Sequence, residues 1–444
     1  MKPPTLLIAV LAAAILPGGL VRQFSTVADD CPTPSFAAPQ SYDVGPNPFS
    51  VAIGDFNRDG NLDLAVANWG NSNNGNVAVL LGNGDGTFGS AVSYLTGTTL
   101  FCVTVGEFNG DGKPDLAVSG AGVWVLLGNG DGTFQTGLTV ETGEPIPAMA
   151  MGDFNGDGNA DLLVAHIYSN NVSLLLGNGD GSFQAGVRYP TGALPQSIAA
   201  ADFNGDGKLD AATANHSDGA TVLLGNGDGT FQRAVNYDVG SSPLSVASGD
   251  FDGSGKPDLV FGNSDFVSVL LGNGDGTFQS AVSFGEQHER WWVAVSDFNG
   301  DGKLDLAVLK TTAAYLSIYL GNGDGTFHDA VEYPVGFLPY SAAVGDFNND
   351  GKPDVVVANY EFSNVYVFLN TSPCAGVSLS AVKNDSTLKL SWPYPSAGFI
   401  LESTTSLRPP SWQPATEKPV TNNSQLEVTV PLDMQSRYFR LHKP

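Results

Sequence analysis

The chain has 444 residues, and its 19 Lys and Arg against 45 Asp and Glu leave a formal net charge of −26. So anionic a balance excludes nucleic-acid binding, which needs cationic surface to displace counterions from phosphate. Glycine is abundant at 55 residues while 42% of the chain is hydrophobic, which excludes a disordered polymer and indicates a turn-rich folded protein.

Residues 1–28 read as an export signal. Lys2 precedes an apolar stretch from Thr5 to Leu16, too short to cross a bilayer and of the length of a signal core. Thr26-Val27-Ala28 fits the small-residue cleavage rule, and a retained anchor is the alternative. No other segment is apolar and long enough to span a membrane. The expected location is secreted or cell-surface, where disulfides are permitted.

Residues 31–374 are dominated by a repeat. Segments of the type Asp-Phe-Asn-Gly-Asp-Gly start at Asp55, Glu107, Asp153, Asp202, Asp250, Asp297 and Asp346, with spacings of 52, 46, 49, 48, 47 and 49 residues. A second element, Leu-Gly-Asn-Gly-Asp-Gly-Thr/Ser-Phe, follows each of the first six, starting at Leu81, Leu127, Leu176, Leu224, Leu271 and Leu320. In the first unit the pattern predicts strands A to D at Ser50–Phe56, Leu64–Ala67, Val77–Leu81 and Phe88–Tyr94. Four short strands in a period of about 40–50 residues are the size of one propeller blade. The fold class predicted is all-β: a seven-bladed β-propeller, followed by a small β-sandwich.

The two ends of the repeat region point to a closed ring. The seventh unit, Tyr340 to Asn370, lacks the second element, while Phe36-Ala-Ala-Pro-Gln-Ser-Tyr42-Asp-Val-Gly matches Phe231-Gln-Arg-Ala-Val-Asn-Tyr237-Asp-Val-Gly. The N-terminal segment is therefore expected to supply strand D of blade seven and remove the open edge. Cys31 and Cys374 flank that splice, and a Cys31–Cys374 disulfide is expected to lock it. Cys102 is left over, in strand A of blade two.

The repeated loop has the chemistry of a calcium site. Asp55, Asn57, Asp59 and Asp63 place oxygens at positions 1, 3, 5 and 9, and Asn61 at position 7 offers its carbonyl. Calcium is a hard cation that takes six to eight oxygens, and alternate positions of a tight turn can converge on one ion. The corresponding sets are Glu107, Asn109, Asp111, Lys113 and Asp115; Asp153, Asn155, Asp157, Asn159 and Asp161; and Asp202, Asn204, Asp206, Lys208 and Asp210. They continue with Asp250, Asp252, Ser254, Lys256 and Asp258; Asp297, Asn299, Asp301, Lys303 and Asp305; and Asp346, Asn348, Asp350, Lys352 and Asp354. Each lysine would contribute through its backbone carbonyl. Loop five, with Ser254 at position 5, is expected to bind more weakly. An EF-hand would need Glu at position 12, where Val66, Val118, Val164, Thr213, Phe261, Val308 and Val357 stand. The expectation is about seven Ca2+, one per blade. The Phe at position 2 of each loop reads as core, and the Asn-Gly-Asp-Gly element as a tight turn supplying left-handed residues.

These motifs resemble the FG-GAP/VCBS repeat family, the propeller repeat of integrin α-subunits and of many secreted bacterial proteins. The match runs from Phe36 to Asn370, about three-quarters of the chain. The resemblance implies one calcium per conforming loop and a binding scaffold. Family members serve in adhesion, as lectins and as propellers of polysaccharide lyases, so the function must be argued from a site.

Alternating strands put the A–B loops and C–D turns on one face and the more variable B–C and D–A loops on the other. The B–C loops carry Trp69, His166, Tyr168, His216, Phe266 and Tyr360; the D–A loops carry Phe101, His288, Arg290, Trp291, Trp292 and Phe337. Aromatics with a few polar partners suit a glycan or an extracellular protein as ligand. Trp291 and Trp292 are expected to split, one ring buried and one exposed. An enzymatic alternative is a lyase for uronate polymers using His288 and Arg290, or His166 and Tyr168. No nucleophilic triad or histidine metal motif is present in the sequence, and a monomer is expected. Residues 376–444 lack the repeat and carry 7 basic against 5 acidic residues. Strand-like runs there at Val377–Val382, Leu388–Trp392, Phe399–Ser403, Leu426–Val430 and Tyr438–Leu441 predict the β-sandwich.

Overall fold

The computed structural model describes residues 13–16, 20–23, 34–71, 74–285 and 291–372, and then 380–384, 387–393, 400–404, 413–414, 419–422, 425–431 and 437–442. The chain divides into a larger unit, Pro34–Phe298 with Lys303–Thr371, and a smaller one of Met1–Thr33, Asn299–Gly302 and Ser372–Pro444.

The larger unit is the predicted seven-bladed propeller: seven four-stranded antiparallel sheets. Blade one has strand A at Pro48–Gly54, B at Asp63–Asn68, C at Asn76–Leu80 and D at Val92–Leu95. Strand D begins later than the sequence pattern predicts. Phe88 makes only an isolated bridge to Gly82, and the ladder resumes at Val79 opposite Val92. The A strands touch from blade to blade around the ring, with Pro339–Gly345 of blade seven against Pro48–Gly54 of blade one.

Closure occurs as the repeat pattern predicts. Blade seven consists of Pro339–Gly345, Asp354–Asn359, Asn364–Phe368 and, from the other end of the propeller, Gln40–Asp43. Tyr42 lies opposite Val365, and Phe36 bridges Asn370 as Phe231 bridges Gly225 in blade four. Cys31 and Cys374 lie outside the described residues. Cys102 is a free, half-buried thiol in Cys102–Gly106, and burial pushes its pKa up, keeping it protonated.

Strands B and C are covered on both sides by neighbouring blades, so they read as nearly continuous apolar runs rather than alternating ones. All six residues of Asp63–Asn68 are buried, whereas strand D is mostly exposed at the rim. The core clusters cross the seams: Val51, Leu64, Val66 and Leu80 of blade one pack with Phe347, Val356, Val365 and Val367 of blade seven.

The smaller unit is β-rich, as predicted. One sheet contains Ser380–Asn384, Thr387–Pro393, Gln425–Pro431 and Val420–Asn422. A second contains Gln413–Pro414, Ile400–Thr404 and Arg437–His442, extended by the hairpin Ala13–Leu16/Leu20–Gln23. The sequence pattern does not anticipate that hairpin. Among the described residues no helix is long and apolar enough to cross a membrane.

Candidate functional site

The loop face is built around seven buried carboxylates. Asp63, Asp115, Asp161, Asp210, Asp258, Asp305 and Asp354, all at position 9, are fully buried. One oxygen of Asp63 accepts the Phe56 N–H at 2.8 Å and the other accepts the Gly82 N–H at 2.7 Å. The pair recurs in every blade; in blade seven Asp354 takes Phe347 N–H at 2.9 Å and Asn370 N–H at 2.7 Å. Each carboxylate thus pins its A–B loop to the end of strand C. Burial raises the pKa of Asp63, Asp115, Asp161, Asp210 and Asp258, opposed by these amide bonds and reinforced by acids of the same loop. Asp354 is pushed up to about 6 by the same cause. The sequence pattern identifies position 9 as a ligand but does not reveal this bracing role, which depends on strand C approaching from about 15 residues away.

The exposed part of each loop is a tight turn. Asp55 accepts Asp59 N–H at 3.0 Å and Gly60 N–H at 2.9 Å, and Asn57 Oδ1 accepts Asp59 N–H at 3.0 Å. Gly60 has φ of 88° with open space around its Cα, so here the backbone conformation, not crowding, requires glycine. Glu107 performs the position-1 role in loop two, accepting Gly110 N–H at 2.6 Å.

The residues fit a calcium ion. In loop five, carboxylate oxygens of Asp250, Asp252 and Asp258 lie within 4.8 Å of one another. Oxygens on opposite sides of one calcium stand about 4.6–5.2 Å apart. The amide bonds to Asp258 use one lone pair per oxygen, leaving others to face an ion. Three carboxylates converging without a cation repel one another, and Asp250 and Asp252 contribute to the raised pKa of Asp258.

The C–D turns behave as structural turns. Asp85 Oδ1 accepts Thr87 N–H at 3.0 Å and Asn83 Nδ2 donates to Thr87 Oγ1 at 2.8 Å. Each turn also crosses a seam: Gly132 N–H donates to Phe56 O at 3.0 Å, and Gly86 of blade one donates to Phe347 O of blade seven at 2.9 Å. Gly86 has φ of 83°, a left-handed conformation that favours glycine, and a Cβ there would also press on the Leu369 side chain at 2.6 Å. Blade seven has no such turn, and the Asn370 side chain takes its place, donating to Phe298 O at 2.8 Å. The position-2 phenylalanines are core, as predicted, and each meets edge-on a ring at or just before strand D of the next blade: Phe56 with Phe134 at 5.4 Å, Phe347 with Phe88 at 5.6 Å and Phe298 with Phe36 at 6.2 Å.

On the opposite face a funnel of about 540 Å³ opens at the propeller centre, lined by residues of all seven blades. Superposing the blades by strand register places Phe49, Phe101, Pro147, Gln196, Leu244, Trp291 and Tyr340 in one tier. The next residue of each strand forms a second tier: Ser50, Cys102, Ala148, Ser197, Ser245, Trp292 and Ser341. Serines of this tier accept backbone N–H groups from the following blade, Ser197 from Val246 at 3.2 Å and Ser341 from Val51 at 3.4 Å. Aromatic side chains gather on blades six, seven, one and two, with Trp292 on the first of these. Phe49 stacks on Tyr340 at 4.6 Å and meets Trp69 at 5.6 Å, Trp69 meets Phe101 at 4.8 Å, and Tyr340 meets Tyr360 at 5.2 Å.

Of the predicted ligand-face residues, Trp69, Phe101 and Trp292 line the funnel and Tyr360 backs its aromatic side. Phe337 is 52% exposed and Tyr168 71% exposed, away from the funnel wall. His216 is half-buried and does not line it, and Phe266 packs over Gly240. His288, Arg290 and the Trp291 side chain lie outside the described residues. Phe49 and Tyr340 are missed by the sequence reading, although their register one residue before the tier of serines marks them.

His166 needs correction as a ligand-face candidate. It is 1% exposed, its Nε2 lies 2.7 Å from Ser173 Oγ, and its Nδ1 lies 3.4 Å from Glu144 Oε1. Its place in the strand Asp161–His166 turns it into the seam between blades rather than toward solvent. Burial lowers its pKa from 6.5, partly opposed by Glu144. The neutral ring is therefore the stabilised form: the contribution is complete above pH 6.5 and is lost as pH falls through the lowered folded value. Melting curves between pH 7.5 and 5 are expected to show a smaller acid-side loss for His166→Gln than for the wild type. Parallel curves would show that this ring does not titrate with unfolding.

Comparison with known proteins agrees with this architecture. A family model described as an FG-GAP-like repeat matches residues 55–118, 107–164, 153–213, 202–261, 250–308 and 297–357. Comparison with curated proteins returns no match. Among solved structures, an Agrocybe aegerita lectin described as recognising non-reducing terminal N-acetylglucosamine is 20% identical, with a TM-score of 0.50 over 76% of this chain and 98% of its own. A chain of the BBS1N–ARL6DN complex is 11% identical, with a TM-score of 0.53 over 78% of this chain and 99% of its own. At these identities the two structures show the fold alone. With six overlapping matches that start at successive calcium-type loops and run into the B strand of the next blade, this chain belongs to the FG-GAP-like repeat family.

Proposed function

We propose that the chain is a secreted, calcium-loaded, non-enzymatic scaffold that binds glycans or partner proteins through the face opposite its calcium-type loops. The observation that carries this reading is the asymmetry of that face: the loop face repeats one chemistry in every blade, while the funnel gathers its aromatics on four adjoining blades, six, seven, one and two. Ligand sites are concave, mostly apolar and furnished with few polar groups, as this funnel is. The lectin with the same fold is consistent with a sugar ligand. Export is supported by the apolar segment behind Lys2, and a Cys31–Cys374 disulfide would suit that location.

Calcium would be held by positions 1, 3, 5 and 9 with the position-7 carbonyl, and would supply neutralising charge that stiffens the loop face. Loops one and three carry Asn61 and Asn159 at position 7, whereas the others carry lysine there. Lys113 Nζ lies 2.8 Å from Asp111 Oδ2, where it competes with a cation. Lys113→Asn is expected to tighten calcium binding at loop two roughly two- to fivefold, the size of an exposed charge pair. Calorimetric titration reads this directly, and an unchanged isotherm would remove the lysine from the account.

A polysaccharide and protein array, probed with and without calcium, tests the function. Retention without turnover is expected. Release of unsaturated, ultraviolet-absorbing product from uronate polymers would replace the scaffold reading by a lyase.

A further inference from the structure

We propose that the central funnel binds an uncharged glycan, seating one sugar ring against the aromatic crescent of blades six, seven, one and two; this rests on the glycan-binding reading above. The funnel volume of about 540 Å³ is that of a small-ligand site. No Asp, Glu, Lys, Arg or His is among the described residues that line it, although the chain carries a net charge of −26. Against the described wall a uronate or sulfated sugar would shed hydration without meeting a countercharge, which is costly. A neutral sugar meets no such penalty.

The wall also has two chemistries, and a pyranose ring has the same two. Trp69, Phe49 and Tyr340 form one side, and the faces of such rings carry the negative end of the quadrupole that attracts polarised C–H groups. Gln196 and Ser197 lie apart from them on blade four, and Ser341 stands one residue beyond Tyr340 on blade seven. The two serine oxygens already accept a backbone N–H from the next blade, so the hydroxyl protons serve as donors for sugar oxygens. An apolar peptide would use the aromatic side and leave these polar groups unanswered.

Trp292→Ser is the sharpest variant, because blades one, four, five and seven carry serine at the same register in Ser50, Ser197, Ser245 and Ser341. Trp69→Thr likewise installs the residue blade six carries at that register, Thr311. Gln279→Ala, in a separate rim groove of about 500 Å³ between outer strands, is the control. The full chain in 1 mM calcium is titrated with neutral oligosaccharides (gluco-, galacto- and chito-oligomers), with oligogalacturonate, and with apolar peptides. Neutral oligomers are expected to bind, with affinity lost at least tenfold in both funnel variants while each still unfolds in one cooperative transition above the assay temperature, and kept in Gln279→Ala. Neutral binding lost only in Gln279→Ala, or binding confined to oligogalacturonate, overturns this inference and leaves the glycan reading standing. Binding of apolar peptides alone, or of nothing, overturns both.

Discussion

Calcium removal is expected to lower the melting temperature of the propeller by about 15 °C. At about 1 mM calcium and a dissociation constant near 0.1 mM, each site contributes about 1.4 kcal/mol. Seven independent sites sum to about 10 kcal/mol, the net stability of a whole domain, and with an unfolding entropy of about 2.1 cal/mol/K per residue each kcal/mol moves the midpoint of a propeller this long by about 1.4 °C. The structure says why the effect reaches the core. The position-9 carboxylates are buried and pin the A–B loop to strand C, so charge left uncompensated there acts on the blade itself. Scanning calorimetry before and after exhaustive chelation measures it. A midpoint that does not move would defeat the calcium assignment in all loops at once.

Removal of the closing segment should be comparably severe. Truncation through Asp43 deletes strand D of blade seven and exposes the edge of Asn364–Phe368. It also takes away Phe36, which meets Tyr333 at 5.0 Å, Phe298 at 6.2 Å and Phe368 at 6.3 Å. The cooperative transition is expected to be lost or to fall by tens of degrees, while truncation ending before Pro34 leaves it in place. The single change Phe36→Ala should cost about 3 kcal/mol, as aromatic truncations in cores do. A synthetic peptide covering residues 34–45 should partly restore the truncated protein by re-adding the strand. Equal melting of the two truncations would show that the ring does not depend on this seam.

Asn370 illustrates how the splice is made good in detail. Six blades cross to their neighbour with a glycine N–H from the C–D turn. The seventh has no such turn, and a buried side-chain amide supplies the donor instead. The repeat alignment makes the missing element visible, but not its replacement, because the partner carbonyl of Phe298 is 72 residues away. The position-9 aspartates carry the same lesson. Their spacing marks them as ligands, while their two backbone bonds appear only once strands B and C are paired.

The variable face was legible only in part, for a reason of register. Adjacent residues of a strand point to opposite faces, and without knowing which residue begins strand A, Phe49 and Tyr340 cannot be told from seam residues. His166 shows the opposite error, a loop-end residue that turns inward to Ser173. Distances along the chain hide the rest: Phe49 and Tyr340 lie 291 positions apart and stack at 4.6 Å because blade seven closes on blade one.

The amino-acid sequence by itself determined the blade count, the splice at Phe36 and the oxygen pattern of the loops, since each is a local motif repeated at a near-constant interval. Only the tertiary structure decided which side chains share the funnel, which are sealed between blades, and where the seventh seam finds its donor. Those depend on ring closure, which sets neighbours by geometry and not by order along the chain.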